Sequence, residues 1–440
     1  MNHLEETRKA NLFRVIYLAL CFMMLFTAYF AGQNLMTQIY KQLGYDNLGP
    51  LCFSTIFGVF ALTSIFSSHY YKKISAKTGI VYGSSVYVLF IFAGTVATYC
   101  DKYKPSTSIC SASSIYALNI ITAGFLGVGA AFLWLCQSTY VNACALEETR
   151  GMFNGVFFSI FQISQILSGV IATVVLGTMD QFSFYVVLVI FGGIAVTMFT
   201  LMKEPVPYGE VAKVEEREET INEALVEFGR TIRENKYRFL YMAIIFTGVG
   251  TSFYASTLGT IVGTTADSVD PQVINKMTGY VFIVLALGAI SAGITIGKLA
   301  DKYDKVKVLI GTMIAVEIAL FLTFMTSLQK SFPLATISGA FWGYVDSALN
   351  TLIVVIIGSR FNSSPQVFSA YRFLANVGAT FTTICATFVP KDNPIMLIVI
   401  IAAALVTFQS LFFSQLAREG EKSNYVKLEE QKLMVELKNI

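Results

Sequence analysis

The sequence predicts an all-α, polytopic membrane protein with twelve transmembrane helices in two six-helix halves. Three observations predict it. Hydrophobic residues make up 55% of the 440 and charged residues only 13%, where a soluble globular chain carries about a quarter; mean hydropathy is +0.63. The apolar residues come in runs of about 20, the length that crosses the hydrocarbon, instead of in amphipathic stripes. One sizeable internal polar segment, 203–237, divides six such runs from six. The expected division is an N-terminal six-helix half over 1–202, a cytoplasmic central loop over 203–237, a C-terminal six-helix half over 238–416 and a cytoplasmic tail over 417–440.

The first run, 12–36, includes "LFRVIYLALCFMMLFTAYFAG". No short apolar segment with a small-residue cleavage site begins the chain, so this run is read as a retained helix and not a removable signal. The others follow at 50–71, 79–99, 113–145, 152–178, 182–202, 238–263, 275–300, 306–328, 332–357, 365–388 and 393–416. With the N-terminus in the cytoplasm, 24 of the 31 Lys and Arg fall on the cytoplasmic side. The outer loops keep Lys41, Lys102, Lys104, Lys276, Lys330 and Lys391, and Arg372 lies inside a run. Basic residues concentrate on the cytoplasmic side of membrane proteins, so both termini and the central loop are expected there. The net charge of +3 adds nothing that points to nucleic acid. Five cysteines, Cys21, Cys52, Cys136, Cys144 and Cys385, lie inside runs as small apolar residues. Cys100 and Cys110 flank "DKYKPSTSI" in an outer loop, where either a disulfide or two separate thiols fits an oxidising compartment. The sequon at Asn362 falls on the cytoplasmic side of this map, out of reach of glycosylation.

A six-plus-six layout invites a search for internal repeats. The chain has two tryptophans, Trp134 in the fourth run and Trp342 in the tenth, each followed eight residues later by an asparagine, Asn142 and Asn350. "GAAFLWLCQSTYVNA" and "SGAFWGYVDSALNT" align without a gap, which makes the two helices equivalents and sets Ser138 against Asp346. Between the eighth and ninth runs stands "GKLADKYDKVKVL". It resembles the loop signature of the major facilitator superfamily, whose Asp latches a neighbouring helix; Gly297, Asp301 and Lys302 would form a gating loop. The matching first-half loop, "KKISAKTG", has Ala76 in place of the Asp.

Polar groups inside apolar runs are the best functional pointers in such a chain. Glu317, Asp346 and Arg372 are the charged residues well inside. An Asp at a helix centre costs roughly 2.5–3.5 kcal/mol on insertion scales, so it should face a wet cavity or a partner. Asp346 and Asn350 are four apart and share a helix face. In one reading they line a solute or ion pathway with Gln33 and Asn34 of the first run, Gln137 and Tyr140 of the fourth, and Thr251 and Tyr254 of the seventh, and Asp346 binds a cation or carries a proton. In the other, Asp346 is a structural hydrogen-bonding group, protonated or paired with Arg372. Glu317 and Arg372 are secondary site candidates; Glu317 reads more readily as a packing contact of a peripheral helix, and Arg372 is able to snorkel toward the cytoplasmic interface. Gln162 and Gln165 lie in the fifth run, facing the eighth or tenth. Gly124, Gly127 and Gly129 allow helices to approach closely; a phosphate loop would need a strand before it. His3 and His69 have no metal-ligand neighbours in sequence, and no nucleophile elbow or phosphate loop is present, so neither an enzyme nor a cofactor or metal is expected.

The segments "GFLGVGAAFLWLCQSTYVNACALEETRGMFNGVFFSIFQISQILSG", "WGYVDSALNTL" and "VFSAYRFLANVGA" resemble the uncoordinated-93-like (Unc-93-like) family, an atypical branch of the major facilitator superfamily. Gly127, Gly129, Ala130, Ala131, Trp134, Gln137, Gly343, Asp346, Asn350 and Thr351 fit the family pattern. Two positions depart from it: Ser138 replaces a usual Gly, and Leu352 replaces the Gln after Asn-Thr. The resemblance implies the twelve-helix major facilitator fold without fixing a cargo. Some members regulate a potassium channel, some escort nucleic-acid-sensing receptors to endolysosomes, and plant relatives are linked to potassium balance. Plasma or endolysosomal membrane is implied. "NYVKLEEQKLM" carries Tyr425 and Leu428 at the spacing of a tyrosine-type sorting signal, and a solvated tail fits the same residues. The leading expectation is a secondary transporter of a small solute or ion, proton or potassium among them. The rival is a non-transporting regulator that binds a membrane-protein partner.

Overall fold

The computed structural model describes residues 2–45, 47–208, 220–266, 271–361, 364–388, 395–396, 398–405 and 409. Among these the chain is helix and turn, with no strand. Helix α1 (Asn2–Gln42) begins well ahead of its apolar run, because "HLEETRKANL" is rich in strong helix formers and carries the Glu5–Lys9 ion pair one turn apart. Then come α2 (Leu48–Lys73), α3 (Ala76–Tyr103), α4 (Ala112–Ala143), α5 (Arg150–Thr178) and α6 (Gln181–Thr200). Ser75, Ser111 and Asp180 cap α3, α4 and α6 by accepting bonds from backbone N–H groups of the first turn.

The central loop is more than a polar tether. Its described part holds α7 (Ile221–Arg233), opened by a reciprocal Thr220–Glu223 capping box, and the short α8 (Asn235–Arg238). Helix α7 buries Ala224 and Phe228, and the Phe228 ring meets Phe373 edge-on at 5.6 Å. The seventh run is interrupted: α9 (Tyr241–Phe253) passes through a π-helical turn, Tyr254–Leu258, into α10 (Gly259–Gly263). Such turns mark helices that bend where a side chain must be aimed. The second set continues with α11 (Pro271–Lys302), α12 (Lys305–Gln329), α13 (Phe332–Arg360) and α14 (Pro365–Phe388). Of the twelfth run, 398–405 is helical; the tail over 417–440, with Tyr425 and Leu428, and the Asn362 sequon lie outside the described residues.

Among the described residues, nine helices are long and apolar enough to span a bilayer. The polar content of α14 and the break after α9 account for two of the three remaining runs. The helices fit a twelve-helix bundle. One buried cluster gathers Leu25, Phe26, Leu126, Phe157 and Phe199 from α1 to α6, and another gathers Phe253, Leu285, Trp342, Leu349 and Phe368 from α9 to α14. The two sets meet where α5 crosses α11 and α2 crosses α14. Glycine makes the first crossing close: a Cβ on Gly155 would land on the Gly293 carbonyl, and one on Gly151 on the Gly297 carbonyl. That crossing lies toward the end of the bundle that carries the chain's N-terminus and α7, called here the amino-terminal end.

Candidate functional site between the two helix sets

Asp346 sits at the midpoint of α13, about 21 Å from either end at 1.5 Å per residue. It remains partly exposed in the middle of the bundle. The Thr251 hydroxyl of α9 donates to Oδ1 at 2.6 Å, Asn350 Nδ2 to Oδ1 at 3.3 Å, and Gln162 Nε2 of α5 to Oδ2 at 3.2 Å. Tyr254, at the π-helical turn, lies against the same carboxylate. Hydrogen bonds to a charged group are worth about 1.5–3 kcal/mol each, so this set offsets the insertion cost of the acid. Gln162 belongs to the first helix set and Thr251 to the second, and the carboxylate ties them together.

The network continues toward the amino-terminal end. Asn350 accepts from the buried Tyr371 hydroxyl at 2.6 Å, and the next residue is Arg372. Arg372 does not snorkel. It is 7% exposed, its guanidinium lies 4.5 Å from the Tyr371 ring centroid and 4.8 Å from that of Trp134, and Nη2 donates to Ser138 Oγ at 3.3 Å. A guanidinium is planar and weakly hydrated, so two aromatic faces can hold it inside the bundle. Among the described residues it is also not ion-paired with Asp346, whose oxygens are bonded elsewhere.

The other candidate residues divide. Gln137 is fully buried beside Ser138, whose hydroxyl lies 3.2 Å from Gln137 Oε1. Gln33 and Asn34 are half-buried on α1; Asn34 Nδ2 reaches Gln165 Oε1 at 3.4 Å, and neither touches Asp346 by a hydrogen bond. Tyr140, nearly a full turn beyond Gln137 on α4, makes no hydrogen bond to Asp346: its hydroxyl donates to the Lys203 carbonyl at the amino-terminal end of the bundle. Glu317 lies apart on α12 and accepts from Gln409 Nε2 at 2.7 Å, a peripheral packing contact.

Asp301, at the end of α11, accepts from the Gly151 and Met152 backbone N–H groups, each at 2.8 Å. It thereby satisfies two of the orphan donors that open α5. Gly297 lets the two backbones meet, while Lys302 lies over the Tyr303 ring at 5.5 Å and takes no part. Ser67 of α2 and Ser369 of α14 add a buried hydroxyl pair at 2.8 Å. These cross-set bonds run from the middle of the bundle to its amino-terminal end. At the opposite end Cys100 and Cys110 form a disulfide with Cα atoms 5.3 Å apart. Nearby, Lys102 pairs with Asp180 at 2.9 Å and holds that carboxyl well below the usual carboxylate range.

Sequence reasoning missed Tyr371 and the roles of Trp134 and Ser138. Tyr371 is adjacent to Arg372 in "AYRF", but adjacency does not show that its hydroxyl reaches Asn350.

A bundle of apolar helices in two sets with a polar network at their junction defines a multi-pass integral membrane protein. The chain belongs to the Major Facilitator Superfamily, whose family model matches residues 105–383. Protein unc-93 homolog A of Bos taurus is 22% identical over 460 aligned residues, covering 92% of this chain and 94% of that protein. The UNC93-like protein MFSD11 of Xenopus laevis is 20% identical over 85% of this chain and 89% of its own length. The Unc-93-like resemblance thus extends over most of the chain. Among solved structures, the Major Facilitator Superfamily transporter FucP in the outward conformation has the same fold, with TM-score 0.60 and 14% identity over 89% of this chain and 97% of that one.

Proposed function

We propose that the protein is a secondary transporter that moves a small solute or ion by alternating access, with Asp346 as the proton- or cation-binding group. The observation that carries this reading is the position of Asp346: mid-helix, partly exposed, and bonded to Thr251 of one helix set and Gln162 of the other. Loading or neutralising the carboxylate changes what it offers both sets, which is the coupling that alternating access requires. The two sets correspond to N- and C-terminal six-helix halves over 1–202 and 238–416, joined by the central loop 203–237. The amino-terminal end, with its basic residues, faces the cytoplasm, and the disulfide-bearing end faces the lumen or exterior. Asp301, latched onto α5, is the lock that holds the cytoplasmic end shut. The residues support transport, not catalysis.

Reconstitution tests the reading. Proteoliposomes with wild-type protein should show flux, assayed first with potassium and protons, and Asp346→Asn should reduce it at least tenfold while eluting as a folded, monodisperse protein. Wild-type liposomes without flux for any cation or solute tried, together with co-purification of a membrane protein, would favour the regulator. One feature fits that second reading: α7 leaves Ile221, Leu225 and Val226 exposed, an apolar edge at the amino-terminal end.

A further inference from the structure

Arg372 is a buried cation whose hydrogen-bonding capacity is largely unspent. A guanidinium has five N–H donors and cannot shed its charge in a protein. Here its Nε has no partner, and the one side-chain bond it makes, to the neutral Ser138 hydroxyl, is long at 3.3 Å. No carboxylate lies within ion-pairing distance of it among the described residues. Next to it, Gln137 is fully buried and offers Oε1 to Ser138, which leaves Nε2 without a partner. Two unpartnered donors, one of them charged, therefore share one buried neighbourhood. Buried polar groups are paired in native structures, and an exception calls for a missing partner.

We infer that this neighbourhood is a binding site for the carboxylate of a small monocarboxylate solute, held by the Nε edge of Arg372 and by Gln137 Nε2. The geometry selects the chemistry. The Nε edge of a guanidinium presents parallel N–H groups that match the two oxygens of a planar carboxylate. The Trp134 and Tyr371 rings flank the guanidinium at 4.8 and 4.5 Å and hold its plane. Trp134 and Asn350 are only partly buried, so the edges of the site reach accessible space at the bundle centre. The role of this site rests on the transport reading: with Asp346 two bonds away through Asn350 and Tyr371, a carboxylate at Arg372 and a proton or cation at Asp346 would travel together with their charges balanced.

The test is equilibrium binding to full-length protein in detergent, independent of flux. The probes are radiolabelled acetate and lactate, with inorganic phosphate and chloride as competitors. Wild type should bind a monocarboxylate saturably; Arg372→Gln should lower affinity at least tenfold, and Arg372→Lys should remain impaired, because an ammonium lacks the fork. If the Arg372 variants do not fold, Gln137→Leu serves instead and should weaken binding several-fold. Absence of saturable monocarboxylate binding by folded wild type, tighter binding of phosphate or chloride than of any carboxylate, or unchanged affinity in Arg372→Gln or Gln137→Leu would each overturn the proposal. Saturable, Arg372-dependent binding in protein that shows no flux would uphold the site and count against the transport reading alone; cation flux without carboxylate binding would do the reverse.

Discussion

Helices α4 and α13 carry the same spacing, Trp134–Ser138–Asn142 and Trp342–Asp346–Asn350, and the structure uses it in the same way locally. Asn142 Nδ2 donates to the Ser138 carbonyl at 2.8 Å, and Asn350 Nδ2 to the Asp346 carbonyl at 2.9 Å. The central residue of each triplet is then met from the opposite helix set, Ser138 by Arg372 and Asp346 by Gln162. The two diverge in everything else. Trp342 is fully buried, donates to Thr323 Oγ1 at 2.9 Å and packs on Phe253 at 5.0 Å. Trp134 is partly exposed, donates to the Tyr87 hydroxyl at 3.3 Å and lies under a guanidinium. The two helices share a backbone pattern and divide their side chains: α13 brings the acid, α4 the platform for the cation.

The division predicts unequal consequences for equal mutations. Trp342→Ala should be the more damaging to the fold, costing about 3–5 kcal/mol as a large buried side chain is removed, and should sharply lower the melting temperature in detergent. Trp134→Ala should cost less stability and instead weaken carboxylate binding. Equal losses of stability would break the comparison.

A smaller contrast sits in the loops. The α3–α4 connection is closed by Cys100–Cys110, ten residues apart, whereas the α12–α13 connection turns within Lys330 and Ser331, with Lys330 at φ 49°. Cross-linking a loop of that length stabilises by about 2–3 kcal/mol in the chain-entropy picture. Cys100→Ser with Cys110→Ser should lower the melting temperature by that equivalent and leave the proposed Asp346-dependent flux unchanged. A melting temperature unchanged from wild type would show that the short turn and the bridged loop are equally well specified without the bond.

The smallest expected effect sharpens the comparison most. Ser138→Asp places in α4 the carboxylate that α13 carries at Asp346, next to Arg372. It should form an ion pair there, keep or raise stability, and reduce carboxylate binding about tenfold by occupying the guanidinium. Unchanged binding would mean that Ser138 does not border the site.

Much of this was legible in the residues. Run length gave the helices because a spanning segment must be apolar along its whole length. The price of a charge in an apolar run picked out Asp346 and Arg372, and i,i+4 spacing put Asn350 beside the acid. The sequence did not show that the Tyr140 hydroxyl reaches the Lys203 carbonyl, 63 positions away, and nothing local to Arg372 showed two rings waiting for it. The break after Phe253 was hidden too, since a π-helical turn has no fixed composition.

The sequence by itself determined the number and order of the apolar helices, the resemblance between α4 and α13, and which residues were too costly to be incidental. These follow from local hydropathy and helical period. Only the tertiary structure decided who meets whom. Gln162 and Asp346 are 184 positions apart, and Ser138 and Arg372 are 234 apart. Those encounters are set by the rotation and depth of each helix in the bundle, which depend on glycine-lined crossings such as Gly155 on Gly293 and on ring packing summed over the whole interface, not on any pattern within one helix.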